Sequence, residues 1–175
     1  MTMMCNCSHA GDDFGAMVLR EAVPADVPAL LALEEACFAG DRIGRRAMAD
    51  WTRRRERIFL VIEDDAGLCA DILVVRAGSW RIARMYSLAV HPRARGRSVA
   101  RRLIAAAHQA ALARGAQEMR LEVHVANQAA IALYRSMGYS SFGSRDDYYH
   151  DHGTALRMHR MLASRSESAE DMPTP

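Results

Sequence analysis

The sequence predicts one mixed α/β sheet domain, and three observations carry that prediction. Three β-rich runs crowd into residues 58–90, the pattern from residue 81 onward alternates strand–helix–strand–helix–strand, and both helices of that half stop at a glycine. A chain of 175 residues is long enough to bury a real core within a single domain. No internal repeat breaks this pattern.

The elements follow in order. MVLREA, 17–22, reads as a short strand. PADVPALLALEEACF reads as a helix with Asp26 as N-cap and Leu30, Leu31, Leu33 and Phe38 as its apolar stripe. A second helix covers 45–55. IFLVIED (58–64) and LCADILVVRA (68–77) flank the turn Asp64-Asp65-Ala66-Gly67, which makes them a hairpin. RIARMYSLAV, 81–90, is a third β run, ended by His91-Pro92. A helix runs from about Val99 to Arg114 and stops at Gly115. MRLEVHV, 119–125, alternates Leu121, Val123 and Val125 against Glu122 and His124. Asn127 caps a short helix through Met137, closed by Gly138. YSSFG and TALRMHRML are the last strands.

Residues 1–16 read as a flexible leader and 163–175, polar with two prolines, as a disordered tail. Four cysteines show no disulfide framework, and Cys5 and Cys7 stand too close for an easy mutual bridge. CNCSH offers three candidate ligands in the leader, too few for a metal site, and the histidines 124, 150, 152 and 159 lack metal spacing. No metal is expected. No apolar run approaches the ~20 residues of a membrane span, so the cytoplasm is the default. The net charge is only +2, which is not that of a polycation built for nucleic acid. All 23 basic residues are arginine, which excludes a lysine nucleophile or Schiff base.

VHPRARGRSVARRLIAAA, 90–107, places Arg93, Arg95, Arg97, Arg101 and Arg102 at a helix N-terminus that is already positive. That arrangement makes sense if an anion sits there, with the amides of Gly96 to Arg101 around a phosphate or pyrophosphate. The other reading is a solvated basic loop. The lysine and spacing of a P-loop and the glycines of a dinucleotide fingerprint are missing.

Arg95-Gly96-Arg97-Ser98-Val99-Ala100 resembles the Arg/Gln-x-x-Gly-x-Gly/Ala loop with which GNAT acetyltransferases bind the pyrophosphate of acetyl-CoA. LEVHVANQAAIALYRSMGYSSFGSRDDYYHDHGTALRMHRML resembles the rest of that pattern in the branch that acetylates protein N-termini, the ribosomal-protein-alanine type. Together these cover roughly Val18 to Leu162. The resemblance implies an α/β GNAT fold over 17–162, with a mostly antiparallel sheet, splayed in its middle and carrying helices on both faces. It also implies acetyl-CoA as donor and an amine as acceptor, most readily a protein N-terminus. Lysine side chains, small amines or an idle CoA-binding sensor are the alternatives. A nucleic-acid-binding module fits less well, because the basic residues gather at one loop and the aromatic-rich loop is acidic.

The resemblance also implies roles. Leu88, Ala89 and Val90 would line the pantetheine arm, with an amide of Ala89 or a neighbour polarising the thioester carbonyl. Arg95, Gly96, Arg97, Ser98, Val99, Ala100 and Arg101 would hold the pyrophosphate, and Asn127, first a helix cap, would reach the pantetheine. Glu122, otherwise an edge carboxylate, would be the general base. Tyr134, otherwise a core aromatic, would be the proton donor. Tyr148 and Tyr149 would hold the acceptor. Two positions depart from the pattern: Ser98 where the family has glycine, and His152-Gly153-Thr154-Ala155 where the branch has Gly-x-Asp-Ala.

Overall fold

A computed structural model of the chain describes residues 17–38, 40 and 42–162. The leader, the tail, Cys5 and Cys7 lie outside them. In chain order the elements are β1 (Val18–Glu21), a 3-10 turn (Pro24–Asp26), α1 (Val27–Cys37), α2 (Arg45–Arg53), β2 (Arg57–Asp64), β3 (Gly67–Ala77) and β4 (Ser79–Val90). A second 3-10 turn (Pro92–Ala94), α3 (Val99–Leu112), β5 (Glu118–His124), α4 (Gln128–Ser136), β6 (Ser140–Arg145) and β7 (Ala155–Met161) complete it. The strands form one seven-stranded sheet in the order β1-β2-β3-β4-β5-β7-β6, and only the β4–β5 pair is parallel.

β2 shows why the central strands read as unbroken apolar runs. Successive side chains of a strand point to opposite faces. Ile58, Leu60 and Ile62 enter one core with Leu103, Ile104 and Ala107 of α3 and Ile131 of α4. Phe59 and Val61 enter a second core with Leu30 of α1 and Met48 of α2. Both faces are covered, so both must be apolar. Leu103 and Ile104 are fully buried, and side chains of that size contribute about 1.5–3 kcal/mol each.

The expected helix cap at Asp26 is corrected. Asp26 stands at the α1 N-cap position, but its side chain makes no cap bond to that helix. Its carboxylate instead accepts from Val23 N at 2.8 Å and takes both ends of Arg20, at 2.7 and 2.9 Å. A 3-10 turn preceding α1 leaves Asp26 pointing back to the strand that precedes it.

Two irregularities shape the middle of the sheet. β4 and β5 pair only from Ile82↔Glu118 to Met85↔Leu121. Beyond that point β4 continues to Val90 and β5 to His124, and the two separate. On its other edge β4 skips register against β3 between Leu73↔Ser87 and Val74↔Met85, which leaves Tyr86 as a bulge. A bulge bends its strand and re-aims a side chain. Bulge and splay begin at adjacent residues.

No helix among the described residues is long and apolar enough to cross a membrane.

Candidate active site

The splay opens a cleft of about 1590 Å³. Its walls come from β4 and β5, the loop before α3, the first turn of α4, the α1–α2 connection and the loop 148–151. Every site residue expected from the sequence lines it except Arg97: Leu88, Ala89, Val90, Arg95, Gly96, Ser98, Val99, Ala100, Arg101, Glu122, Asn127, Tyr134, Tyr148 and Tyr149.

At one end lies the arginine loop. The first hydrogen bond into α3 runs from Arg102 N to Ser98 O, so the amides of Val99, Ala100 and Arg101 are the unpaired donors of a helix start. Gly96 has φ +75° and Ser98 φ +57°, both left-handed. Glycine adopts that conformation freely, and serine pays for it with its Cβ. A glycine at position 98 would meet this backbone demand without that cost. Ser98 makes no side-chain cap to α3, which leaves its hydroxyl free of that task.

The arginines of the loop divide. Arg95 lines the cleft and donates from Nε to Val90 O at 3.4 Å, and Arg101 lines it beside Met137. Arg93 turns to Asp64, with both carboxylate oxygens at 2.6 and 2.7 Å, and Arg97 approaches the same carboxylate at 3.9 Å. Hydrogen bonds from Arg93 hold the Asp64 carboxyl below its ordinary range. Asp64 thereby anchors the loop to the β2–β3 turn. Asn127 accepts from Ala130 N at 3.1 Å, which is the cap that was expected.

At the other end Glu122, half-buried on β5, meets Arg84 of β4. Arg84 Nε donates to Glu122 Oε2 at 2.8 Å, and its Nη2 donates to the Tyr148 hydroxyl at 2.6 Å. Arg84 therefore ties the carboxylate to the loop 148–151. Tyr134 is 8% exposed on α4, its ring 5.8 Å from Tyr139. Burial, reinforced by Tyr149, pushes its phenol well above the ordinary tyrosine range, so it stays protonated. Tyr148 and Tyr149 pack edge to face at 5.0 Å, and Tyr149 lies 5.1 Å from the His124 ring.

Sequence reasoning missed four features. Arg84 is one; only its charge within the β run 81–90 signalled it. Tyr86 is another, half exposed on the bulge with its ring 6.0 Å from Trp51 at the cleft wall. A third is His124, set aside above for lack of metal spacing, which lines the cleft. Gly153 is the fourth: a Cβ there would fall 2.0 Å from His124 Nε2, so the ring and the loop pack only because the residue is glycine. Among the described residues no cluster of His, Cys, Asp or Glu could hold a metal ion.

Residues 27–139 match the acetyltransferase (GNAT) family. A Bacillus subtilis protein named for N-acetylation of the alanine of ribosomal protein bS18 is 34% identical over 98 residues, 54% of this chain and 62% of its own. A mycothiol acetyltransferase from Salinispora tropica is 34% identical over 140 residues, 71% of this chain and 44% of its own. The crystal structure of the ribosomal-protein-S18-alanine N-acetyltransferase from Escherichia coli superposes with a TM-score of 0.76 at 22% identity, covering 89% of this chain and 100% of that one. The chain spans less than two thirds of the length of the first curated relatives it matches, 37% and 62%.

Proposed function

The chain belongs to the acetyltransferase (GNAT) family, and from that premise we propose that it transfers acetyl from acetyl-CoA directly to an amine, the α-amino group of a protein N-terminus above all. The observation that carries this reading is the β4–β5 splay. One cleft runs from the amides and arginines of the 95–101 loop, past the open edge of β4, to Glu122, Tyr134 and Tyr148.

On this reading Arg95, Arg101 and the α3 amides hold the pyrophosphate of the donor. The strand edge at Leu88–Val90 takes the pantetheine arm, and an amide at Ala89 or beside it polarises the thioester carbonyl. A donor of that kind is worth about 2.7–4 kcal/mol in a transition state. The amine attacks the carbonyl carbon, and the C–S bond breaks. Glu122 takes the ammonium proton through water, and Tyr134 donates to the departing sulfur. The cytoplasm is the setting this reading implies.

The protein N-terminus is favoured on proton grounds. An α-amino group with pKa near 8 is about a tenth neutral at pH 7, whereas a lysine amine near 10.4 is below about one part in a thousand. The similarity to mycothiol acetyltransferase supports a second reading, a small-molecule amine in the same cleft. Thiol release from acetyl-CoA, measured against N-terminal peptides, lysine peptides and small-molecule amines, separates the two. Turnover of small amines with peptides inert would overturn the peptide assignment. Inertness toward every amine, with acetyl-CoA bound, would leave the idle sensor.

A further inference from the structure

Two carboxyl groups lie buried under the β4 wall of the cleft. Glu34 of α1 is 2% exposed and Asp71 of β3 is 1% exposed. Asp71 is paired across the sheet with Ala89. Among the described residues no group hydrogen-bonds to Asp71 Oδ2. Burial, with Glu34 adding to it, pushes the Asp71 carboxyl far above its ordinary range, so Asp71 carries a proton. Glu34 is served differently. Its Oε2 accepts from Ile43 N at 2.9 Å, its Oε1 faces the Ser87 hydroxyl at 3.5 Å, and Arg42 adds a favourable field. Burial raises the Glu34 carboxyl, while the bonds from Ile43 and Ser87 and the field of Arg42 act against that rise. Among the described residues Cys37 is another titratable neighbour; burial pushes its half-buried thiol up, and it also senses Arg95.

The partners of Glu34 sit at informative places. Ile43 belongs to the connection between α1 and α2, of which Phe38, Gly40, Arg42, Ile43 and Gly44 line the cleft. Ser87 follows the Tyr86 bulge, where β4 leaves β5. One buried carboxylate thus faces the α1–α2 connection through Ile43 on one side and β4 through Ser87 on the other.

We propose that Glu34 is a positioning residue that clamps the α1–α2 connection to β4 and thereby fixes the acceptor-side wall of the cleft. The acceptor half of the proposal rests on the acetyltransfer reading; the clamp itself does not.

Glu34→Leu tests this, since leucine fills the space but accepts no hydrogen bond. Amide exchange at Ile43, followed by NMR on the full chain, should quicken by about tenfold or more, as expected when one hydrogen bond to a charged group is lost. The acceptor KM should rise by about tenfold on the same ground, while the acetyl-CoA KM and the acetyl-CoA melting shift hold. Glu34→Gln keeps an acceptor for Ile43 N and should restore most of the protection. Asp71→Asn, isosteric with the neutral acid, should change neither readout at neutral pH. Unchanged Ile43 exchange in Glu34→Leu overturns the clamp, and so does equal loosening by Asp71→Asn. Equal rises of both KM values overturn the acceptor-side role. If no amine is acetylated by the wild-type chain, the acetyltransfer reading fails, and Ile43 exchange alone still decides the clamp. Should Glu34→Leu not fold, the Glu34→Gln and Ser87→Ala pair carries the same exchange measurement, with loosening expected only for Ser87→Ala.

Discussion

Arg84 Nε donates to Glu122 Oε2 at 2.8 Å across the mouth of the β4–β5 splay. Those residues belong to strands that have just stopped pairing, since the last register pair is Met85↔Leu121. The ion pair bridges the gap where the ladder ends. Through Nη2, the same guanidinium holds the Tyr148 hydroxyl at 2.6 Å. Glu122 and the loop 148–151 are therefore oriented by one rigid fork, a task for which arginine is suited and lysine is not.

Arg84→Met should release both groups while keeping much of the side-chain volume. The acceptor kcat/KM is expected to fall by about 10–100-fold, the scale of misplacing a reacting group by about 1 Å. The acetyl-CoA melting shift should survive, because the arginine loop is untouched. Equal loss of both would mark Arg84 as a general structural support.

The loop arginines give a second contrast. Arg95 lines the cleft, while Arg97 leans toward Asp64. Arg95→Ala should reduce the acetyl-CoA melting shift more than Arg97→Ala does, since only a ligand contact changes the linkage between binding and stability. Calorimetric titration of both variants checks the order. A larger loss in Arg97→Ala would show that its side chain swings into the cleft when the cofactor binds.

Much of this was legible in the sequence, and the gaps have physical causes. β2 and β3 announce themselves because burial of their middle residues leaves mostly apolar side chains there, and β4 follows as a third β-rich run. The arginine loop is legible because a helix start repels cations unless an anion pays for them. The Arg84–Glu122 pair was not, since it depends on which strands become neighbours, and β4 and β5 are joined only through α3. Glu34 and Asp71 look like ordinary helix and strand carboxylates until both turn inward. Gly153 was invisible for the same reason: its constraint is His124, 29 positions earlier in the chain, brought close by the β5–β7 pairing.

Ser98→Gly relieves a left-handed serine at φ +57°. The relief is worth about 1–2 kcal/mol, and glycine's freer unfolded chain gives back about 0.4–1 kcal/mol. Between zero and about 1.6 kcal/mol of net stabilisation remains, too broad a range for Tm to discriminate, so binding is the informative readout. Removing the Cβ should tighten acetyl-CoA by less than about tenfold, as a loop amide can replace the hydroxyl. A large loss of affinity would show that the serine hydroxyl is itself a phosphate donor.

His108 sets an acid limit on stability. It is 6% exposed on α3, its Nε2 lies 2.8 Å from the Tyr139 hydroxyl, and burial, with Arg160 adding, lowers its pKa from 6.5 to about 4. Between pH 4 and 6.5 the unfolded chain binds a proton that the folded chain refuses, so stability falls as pH drops through that window and levels off below it. The full effect approaches about 3 kcal/mol at 1.36 kcal/mol per unit. His108→Gln should flatten the dependence of unfolding free energy on pH between 4 and 6.5 relative to wild type. The carboxyls common to both chains cancel in that difference. Parallel curves would show that His108 protonates freely in the folded state.

The chemistry itself is tested by Glu122→Gln and Tyr134→Phe. The first keeps the shape of the side chain and its contact with Arg84 but cannot take a proton near neutral pH. The second removes only the hydroxyl. Both should bind acetyl-CoA nearly as the wild type does while kcat falls, since each change touches an interaction that grows in the transition state. The two need not fall equally. Tyr134 lies well above the ordinary phenol range, whereas a free thiol titrates near 8.5. Full proton transfer from this phenol to a thiolate is therefore uphill, and its contribution is a hydrogen bond to the developing anion. A loss of about 10–100-fold is expected for Tyr134→Phe, at the low end of acid catalysis, and about 10–1000-fold for Glu122→Gln. In both variants kcat/KM should still rise with pH through the titration of the acceptor amine, near 8 for an α-amino group. Single-turnover acetyl transfer to a verified peptide, measured across that range, separates chemistry from product release. Full activity in both variants would leave the cleft and its cofactor reading in place and remove Glu122 and Tyr134 from the reaction, with water moving both protons.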